Sequence, residues 1–148
     1  MTAVADILQS KPSAQVHTIG PSDSMLDALR LMADKGIGAL LVMEGERIAG
    51  IVTERDYARK VALLGRTSGA TQVSDVMTRA VRFVRPHQTS EQCMQLMTAN
   101  RLRHLPVVDE AERLVGLISI GDLVKNIMSE QQFIIEQMEQ YITGGQRN

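Results

Sequence analysis

One seven-residue pattern occurs twice in this chain, and the duplication limits the possible folds more than any other feature. Gly50-Ile51-Val52-Thr53-Glu54-Arg55-Asp56 and Gly116-Leu117-Ile118-Ser119-Ile120-Gly121-Asp122 share a glycine, two branched aliphatic residues, a hydroxyl, and an aspartate three positions beyond the hydroxyl. A glycine ahead of an apolar pair suits a strand that another segment approaches closely. A hydroxyl followed by an acid suits the exit from that strand into a helix. The rest of the chain repeats in the same register. Val4-Ala5-Asp6-Ile7-Leu8 echoes Val73-Ser74-Asp75-Val76-Met77, Val16 to Leu31 matches Val81 to Leu96 with Pro21 on Pro86, and Gly38 to Met43 matches Arg103 to Val108. The offset of about 65 residues is longer than a solenoid period, so the chain reads as a pseudo-symmetric pair.

Each copy predicts the order strand, helix, strand, strand, helix. A short strand at His17 to Gly20, or Arg82 to Arg85, is stopped by a proline that has no N–H to donate. Ser24 with Asp27 and Thr89 with Gln92 stand at capping-box spacing ahead of helices whose buried faces carry Met25, Leu29 and Met32, or Cys93, Leu96 and Met97. Gly38 to Met43 and His104 to Val108 are apolar runs of strand length, and Pro106 marks the second as an edge or irregular ladder position. A turn-rich linker, Gly65 to Ser74, joins the copies. The expected fold class is α+β, built of α/β-type repeats, with units at 1–70, 71–130 and a helical extension at 131–148. The last helix carries apolar residues from Leu123 to Ile142, ahead of a stop expected at Gly144-Gly145. Beyond Met128 this stripe needs another surface, either its own core or a second subunit, and we expect a homodimer.

Composition removes several classes. With 16 basic and 17 acidic residues the net charge is -1, and with two Phe, two Tyr and no Trp the chain lacks the charge and stacking surfaces of a nucleic-acid binder. A lone cysteine excludes an intramolecular disulfide and a cysteine-rich metal site. Cys93 on a helix face reads as a small core residue. The N-terminus has no long apolar run, so we expect no membrane association and a cytoplasmic location. Enzyme motifs fail in turn. Gly36-Ile37-Gly38 is followed by Leu41 where a dinucleotide fingerprint needs glycine, no Gly-Lys-Ser/Thr phosphate loop exists, and His17, His87 and His104 lack metal-ligand spacing.

The duplicated motif is what remains. A carboxylate such as Asp56 or Asp122 can accept two hydrogen bonds from vicinal ribose hydroxyls, and Thr53 or Ser119 can reach a phosphate or sugar oxygen. Capping of the following helix explains either pair equally well when it is taken singly.

The whole layout resembles a tandem pair of CBS domains, named for cystathionine β-synthase. The glycine, aliphatic, any residue, Thr or Ser, two more, Asp pattern is met in both copies, with the Val-x-Asp-aliphatic-Leu/Met openings and the Arg103-His104-Leu105-Pro106-Val107-Val108 strand. The tail from Ile134 to Gly144 is similar to that of small bacterial stand-alone members. The resemblance implies two pseudo-symmetric motifs, each a short β-sheet with two helices, packed as one pair with a long C-terminal helix. It further implies an adenine-nucleotide sensor without catalysis or obligatory cofactor, taking AMP, ATP or NAD(H) in the cleft between motifs and signalling to an effector protein. By the same resemblance Asp56 and Asp122 hold ribose hydroxyls, Thr53 and Ser119 contact phosphate or ribose, and Arg103, His104 and Arg55 reach phosphates. Lys11 and Thr78 lie where members touch the nucleotide. The copies differ, Arg55 against Gly121 and Gly38-Ala39 against Arg103-His104, so the two sites are expected to be unequal. The alternatives are a constitutive dimeric adaptor whose motifs only cap helices, and a small nucleotide-handling enzyme.

Overall fold

The computed structural model describes residues 2–12 and 15–146, with side chains described as far as Thr143. After a first helix α1 (Val4–Ser10), the first repeat runs β1 (Thr18–Ile19), α2 (Met25–Lys35), β2 (Ala39–Glu44), β3 (Arg47–Thr53) and α3 (Glu54–Tyr57), which widens into a π-helical turn at Ala58–Ala62. The second repeat runs α4 (Ser90–Asn100), β4 (His104–Val108), β5 (Leu114–Ser119) and α5 (Ile120–Gln146). The fold is thus mixed, small sheets backed by helices, with a long final helix.

The sheets differ for a reason visible in the sequence. β1 pairs parallel with β2, which pairs antiparallel with β3. β4 and β5 form an antiparallel pair, and the place of a third strand is held by Val84 alone, bridged to Val107. The Val84 N–H donates to the Pro106 carbonyl at 2.9 Å and the Val108 N–H to the Val84 carbonyl at 3.0 Å. Pro106 has no N–H to offer on that side, so the ladder stops after one residue. Capping follows the predicted spacing. The Asp27 N–H donates to Ser24 Oγ at 3.1 Å, and Thr89 with Gln92 forms a complete capping box.

The opening segments cross between the halves. Val73, Val76 and Met77 are buried with Met25, Met32, Leu40, Val42 and Val52 in the core of the first repeat. Val4 and Ile7 are buried instead with Cys93, Met97, Leu105, Ile118 and Leu123 in the core of the second. Each half therefore completes its apolar interior with residues that precede the other half's sheet in the chain. The two motif glycines sit under these crossing segments. A Cβ at Gly50 would meet Met77 Sδ at 2.7 Å and the Thr78 carbonyl oxygen at 2.8 Å, and one at Gly116 would meet Leu8 Cδ2 at 2.7 Å. The linker is tied down too: the Met25 N–H donates to the carbonyl of the buried Thr71 at 2.8 Å.

α5 continues through Gly144-Gly145 to Gln146, beyond the stop expected there. Glycine weakens a helix by about 1 kcal/mol relative to alanine, but ends one only where the backbone turns left-handed. Past Met128 the helix leaves its own core, with Phe133, Ile134, Met138 and Ile142 more than half exposed. At its start it is clamped by the N-terminal segment. Thr2 Oγ1 donates to Glu130 Oε1, Asn126 Nδ2 donates to Thr2 Oγ1 at 3.3 Å, and the Ser90 N–H donates to the Thr2 carbonyl at 2.9 Å.

Candidate functional site

Both repeated motifs end their strands in a reciprocal cap. The Thr53 N–H donates to Asp56 Oδ2 at 3.0 Å while the Asp56 N–H donates to Thr53 Oγ1 at 3.1 Å. Ser119 and Asp122 repeat the exchange at 2.9 and 3.1 Å. Capping fixes the hydroxyl and carboxylate of each motif at the mouth of a strand without occupying every lone pair of either group, and Thr53, Asp56 and Ser119 face the cleft between the repeats.

Two cavities open in that cleft. The first, about 390 Å³, brings together Thr53, Arg55 and Asp56 of the first motif, Thr78, Ala80, Val81 and Arg82 of the crossing segment, and Arg101, Arg103 and His104 of the second repeat. Gly38 and Ile51 form part of its wall. Thr78 is held there by a two-way backbone bridge: its N–H donates to the Ile51 carbonyl at 2.9 Å and the Ile51 N–H to its carbonyl at 3.0 Å. Asp56 Oδ1 lies 3.6 Å from Lys60 Nζ, which also donates to the Val76 carbonyl at 2.9 Å. Arg55 and Arg103 have no acidic partner among the described residues, so neither Glu54 nor Glu110 neutralises them.

The second cavity, about 200 Å³, is lined by Leu8, Lys11, His17, Ile37, His104 and Ser119 among others. Here a side chain takes the place of the backbone bridge. Lys11 Nζ donates to the Leu117 carbonyl at 2.8 Å and lies 2.9 Å from Asp122 Oδ2. That oxygen already accepts the Ser119 N–H, so the acid of this motif is engaged twice on one atom, and Asp122 does not line the cavity. Burial would raise its pKa, but the Ser119 N–H and the Lys11 ammonium outweigh it and hold the carboxyl below the ordinary carboxylate value. His104 lies between the cavities and lines both. Its pKa is pushed down by burial, assisted by the Lys11 and Arg103 charges and opposed by Asp122. Cys93 is buried in the second core, and burial pushes its thiol pKa up, as befits a packing residue.

Of the residues singled out from the sequence, Thr53, Arg55, Asp56, Thr78, Arg103 and His104 share the first cavity, and Lys11, Ser119 and His104 the second. Two cationic residues of the first cavity escaped that reading, Arg82 and Arg101. Both stand opposite non-arginine positions of the other repeat, His17 and Gly36, the same signal by which Arg103 stands out against Gly38. Among the described residues no cluster of His, Cys, Asp or Glu could hold a metal ion, and no helix is long and apolar enough to cross a membrane.

A duplicated α+β unit whose halves exchange their opening segments around one cleft defines a tandem-repeat module with two related pockets. The CBS domain family matches residues 4–63 and 73–129, and the chain belongs to that family, carrying two copies of its motif. A protein with CBS domains from Burkholderia ambifaria has a solved structure that matches with a TM-score of 0.84 at 56% identity, over 88% of this chain and 96% of that one. The mitochondrial CBS domain-containing protein CBSX3 of Arabidopsis thaliana is 36% identical over 152 residues, 97% of this chain and 73% of the relative. CBSX2, solved in complex with AMP, matches with a TM-score of 0.73 at 28% identity, over 88% of this chain and 99% of that one.

Proposed function

We propose that the chain is a non-catalytic regulatory module that binds an adenine nucleotide in the cleft between its repeats, with the Thr53–Asp56 cavity as the principal site. The observation that carries this reading is the convergence in one cavity of the first motif's hydroxyl and acid with Arg103 and His104 of the other repeat. Asp56 accepts the ribose hydroxyls, Thr53 contacts ribose or phosphate, Arg55, Arg103 and His104 face the phosphates, and Thr78 and the aliphatic wall enclose the base. AMP, ATP and NAD(H) share these features, and the AMP complex of CBSX2 supports the ligand class. Because the ligand touches both repeats, it favours one mutual angle by its differential affinity for the two arrangements. α1 links that change to α5, since Lys11 follows it at the cleft and Thr2 precedes it at Glu130.

Nucleotide at about 100 times its dissociation constant should stabilise the fold by about 2.7 kcal/mol in a thermal-shift assay. Asp56→Asn keeps a capping side chain yet removes the charge that accepts ribose hydroxyls, and should abolish the shift with little change in the unliganded melting temperature. No shift with any adenine nucleotide would favour the adaptor reading instead.

The same reading makes the chain a homodimer through α5. Val124, Met128, Ile135, Met138 and Ile142 recur at helical steps of three, four and seven residues and are all exposed, the pattern of a seam that wants a second helix. Truncation after Ser129 should turn a dimer into a monomer by sedimentation; a dimer that persists would remove α5 from the interface.

A further inference from the structure

We infer that the first cavity is a polyphosphate site, so that, on the proposed nucleotide reading of that cavity, its ligand is a nucleoside triphosphate in preference to a monophosphate. Four guanidinium side chains from four separate places line it: Arg55 in the first turn of α3, Arg82 in the crossing segment, Arg101 at the end of α4 and Arg103 just before β4. None of the four has a carboxylate partner or a side-chain hydrogen bond among the described residues. Among the other described arginines, Arg30, Arg47, Arg66, Arg85 and Arg113 each lie 4.0 Å or less from an acid, while Arg79 donates to the Ser74 carbonyl and Arg59, outside the cavity, has no acid within that distance. The one acid of the cavity, Asp56, is engaged by the Thr53 N–H and faces the Lys60 ammonium. The charge therefore stays strongly positive, in a chain whose net charge is only -1.

Arg101 adds a second, independent sign. It holds a left-handed backbone, φ 54°, where the first repeat has Gly36 at φ 65°. Glycine occupies this helix-ending conformation without strain and arginine does not. Strain kept at the rim of a cavity points to a use for the side chain. A terminal monophosphate carries about 1.5 to 2 negative charges at neutral pH, too few to engage four guanidinium groups, each of which can hold phosphate oxygens bidentately. A triphosphate spans and neutralises more of them. A cationic sulfonium nucleoside is disfavoured on the same ground. Among the described residues the second cavity has no arginine in its lining, and its one lysine is paired with Asp122, so the preference belongs to the first cavity and not to the fold at large.

The test is calorimetry of the full chain with ATP, ADP, AMP, adenosine and inorganic tripolyphosphate, without divalent cations and at two salt concentrations. ATP should bind at least about tenfold more tightly than AMP, the scale of one charge-assisted bond, and should lose more affinity as salt rises. Arg101→Gly, which relieves the left-handed strain and so preserves folding, and Arg82→Ala should each narrow the ATP to AMP ratio severalfold while adenosine binds as before. AMP binding as tightly as ATP overturns the inference, as does an unchanged ratio in both variants. If tripolyphosphate binds but adenosine and AMP do not compete with it, the anion site stands and the nucleotide reading falls. If neither tripolyphosphate nor ATP binds, the inference falls as well.

Discussion

The two pockets are built on the same frame and differ in what the crossing segment delivers to the strand beneath it. Over the first motif, Thr78 pairs with Ile51 through backbone alone, and Asp56 keeps its place in the cavity wall. Over the second, Lys11 reaches the Leu117 carbonyl and Asp122 with its side chain, and the acid leaves the wall. One cavity is left cationic and nearly twice as large; the other is closed over its own ion pair. Duplication conserves the strand, the cap and the glycine because the backbone demands them. The residues contributed by the other half are under no such demand, and that is where the pockets diverge.

The strongest way to break this picture is to attack the crossing. Ile7 lies in the first repeat by sequence but in the second by packing, and Met77 the reverse. Ile7→Ala should cost about 2–5 kcal/mol and speed amide exchange in β4 and β5 first, whereas Met77→Ala, at a similar cost, should loosen β2 and β3. Exchange that accelerates in β2 and β3 for Ile7→Ala would sink the assignment. A smaller difference is expected between the motif glycines. Gly50→Ala pushes a methyl against the Thr78 backbone carbonyl, which cannot swing aside, while Gly116→Ala meets only the end of Leu8. Gly50→Ala should lose about 1–3 kcal/mol, or about 2–4 °C in melting temperature per kcal/mol, and Gly116→Ala distinctly less. Equal losses would mean that the two crossings are equally rigid.

Much of this was legible in the sequence, because the repeat supplies its own alignment. The capping pairs, the buried face with Cys93 and the interrupted ladder at Pro106 all follow from local spacing or from comparing the copies, whereas the meeting of Arg55 with Arg103 in one cavity does not. The crossing was not legible. Val4-Ala5-Asp6-Ile7-Leu8 matches Val73-Ser74-Asp75-Val76-Met77 equally well whether each packs on its own half or on the other, since hydrophobic pattern specifies burial but not partner. The Lys11–Asp122 pair depends on that exchange and was hidden with it. Arg101 stands against Gly36 as Arg103 stands against Gly38, so comparing the copies marks it as different, but its place in the cavity lining depends on the fold.

Lys11→Met sharpens the contrast between pockets directly. It retains most of the aliphatic stem, frees Asp122, and should add a second, weaker nucleotide-binding event to the calorimetric trace; a trace still fitted by one event would show that the ion pair is not what closes the second pocket. It should also cost about 1 kcal/mol at neutral pH. The sign of the pH dependence follows from Asp122, whose folded-state pKa lies below the ordinary 3.8. Its stabilisation is complete above that value and is lost as pH falls through the folded-state pKa, so wild type and Lys11→Met should converge in urea unfolding at strongly acid pH.

The smallest effect belongs to His104, which lies between the pockets. Burial holds its pKa below the ordinary 6.5, so the unfolded chain binds this proton more readily than the folded one. The native state therefore loses stability as pH falls from 6.5 toward the lowered folded-state value, and regains it as pH rises. His104→Gln, which keeps a polar side chain but cannot titrate, should flatten that part of the urea profile by less than about 1 kcal/mol. A phosphate beside His104 would favour its charged form, so nucleotide binding should take up a proton in wild type and less of one in His104→Gln, read as a buffer-dependent heat. Equal proton uptake in the two proteins would place the phosphates away from His104 and leave the arginines as their only cationic partners in the cavity.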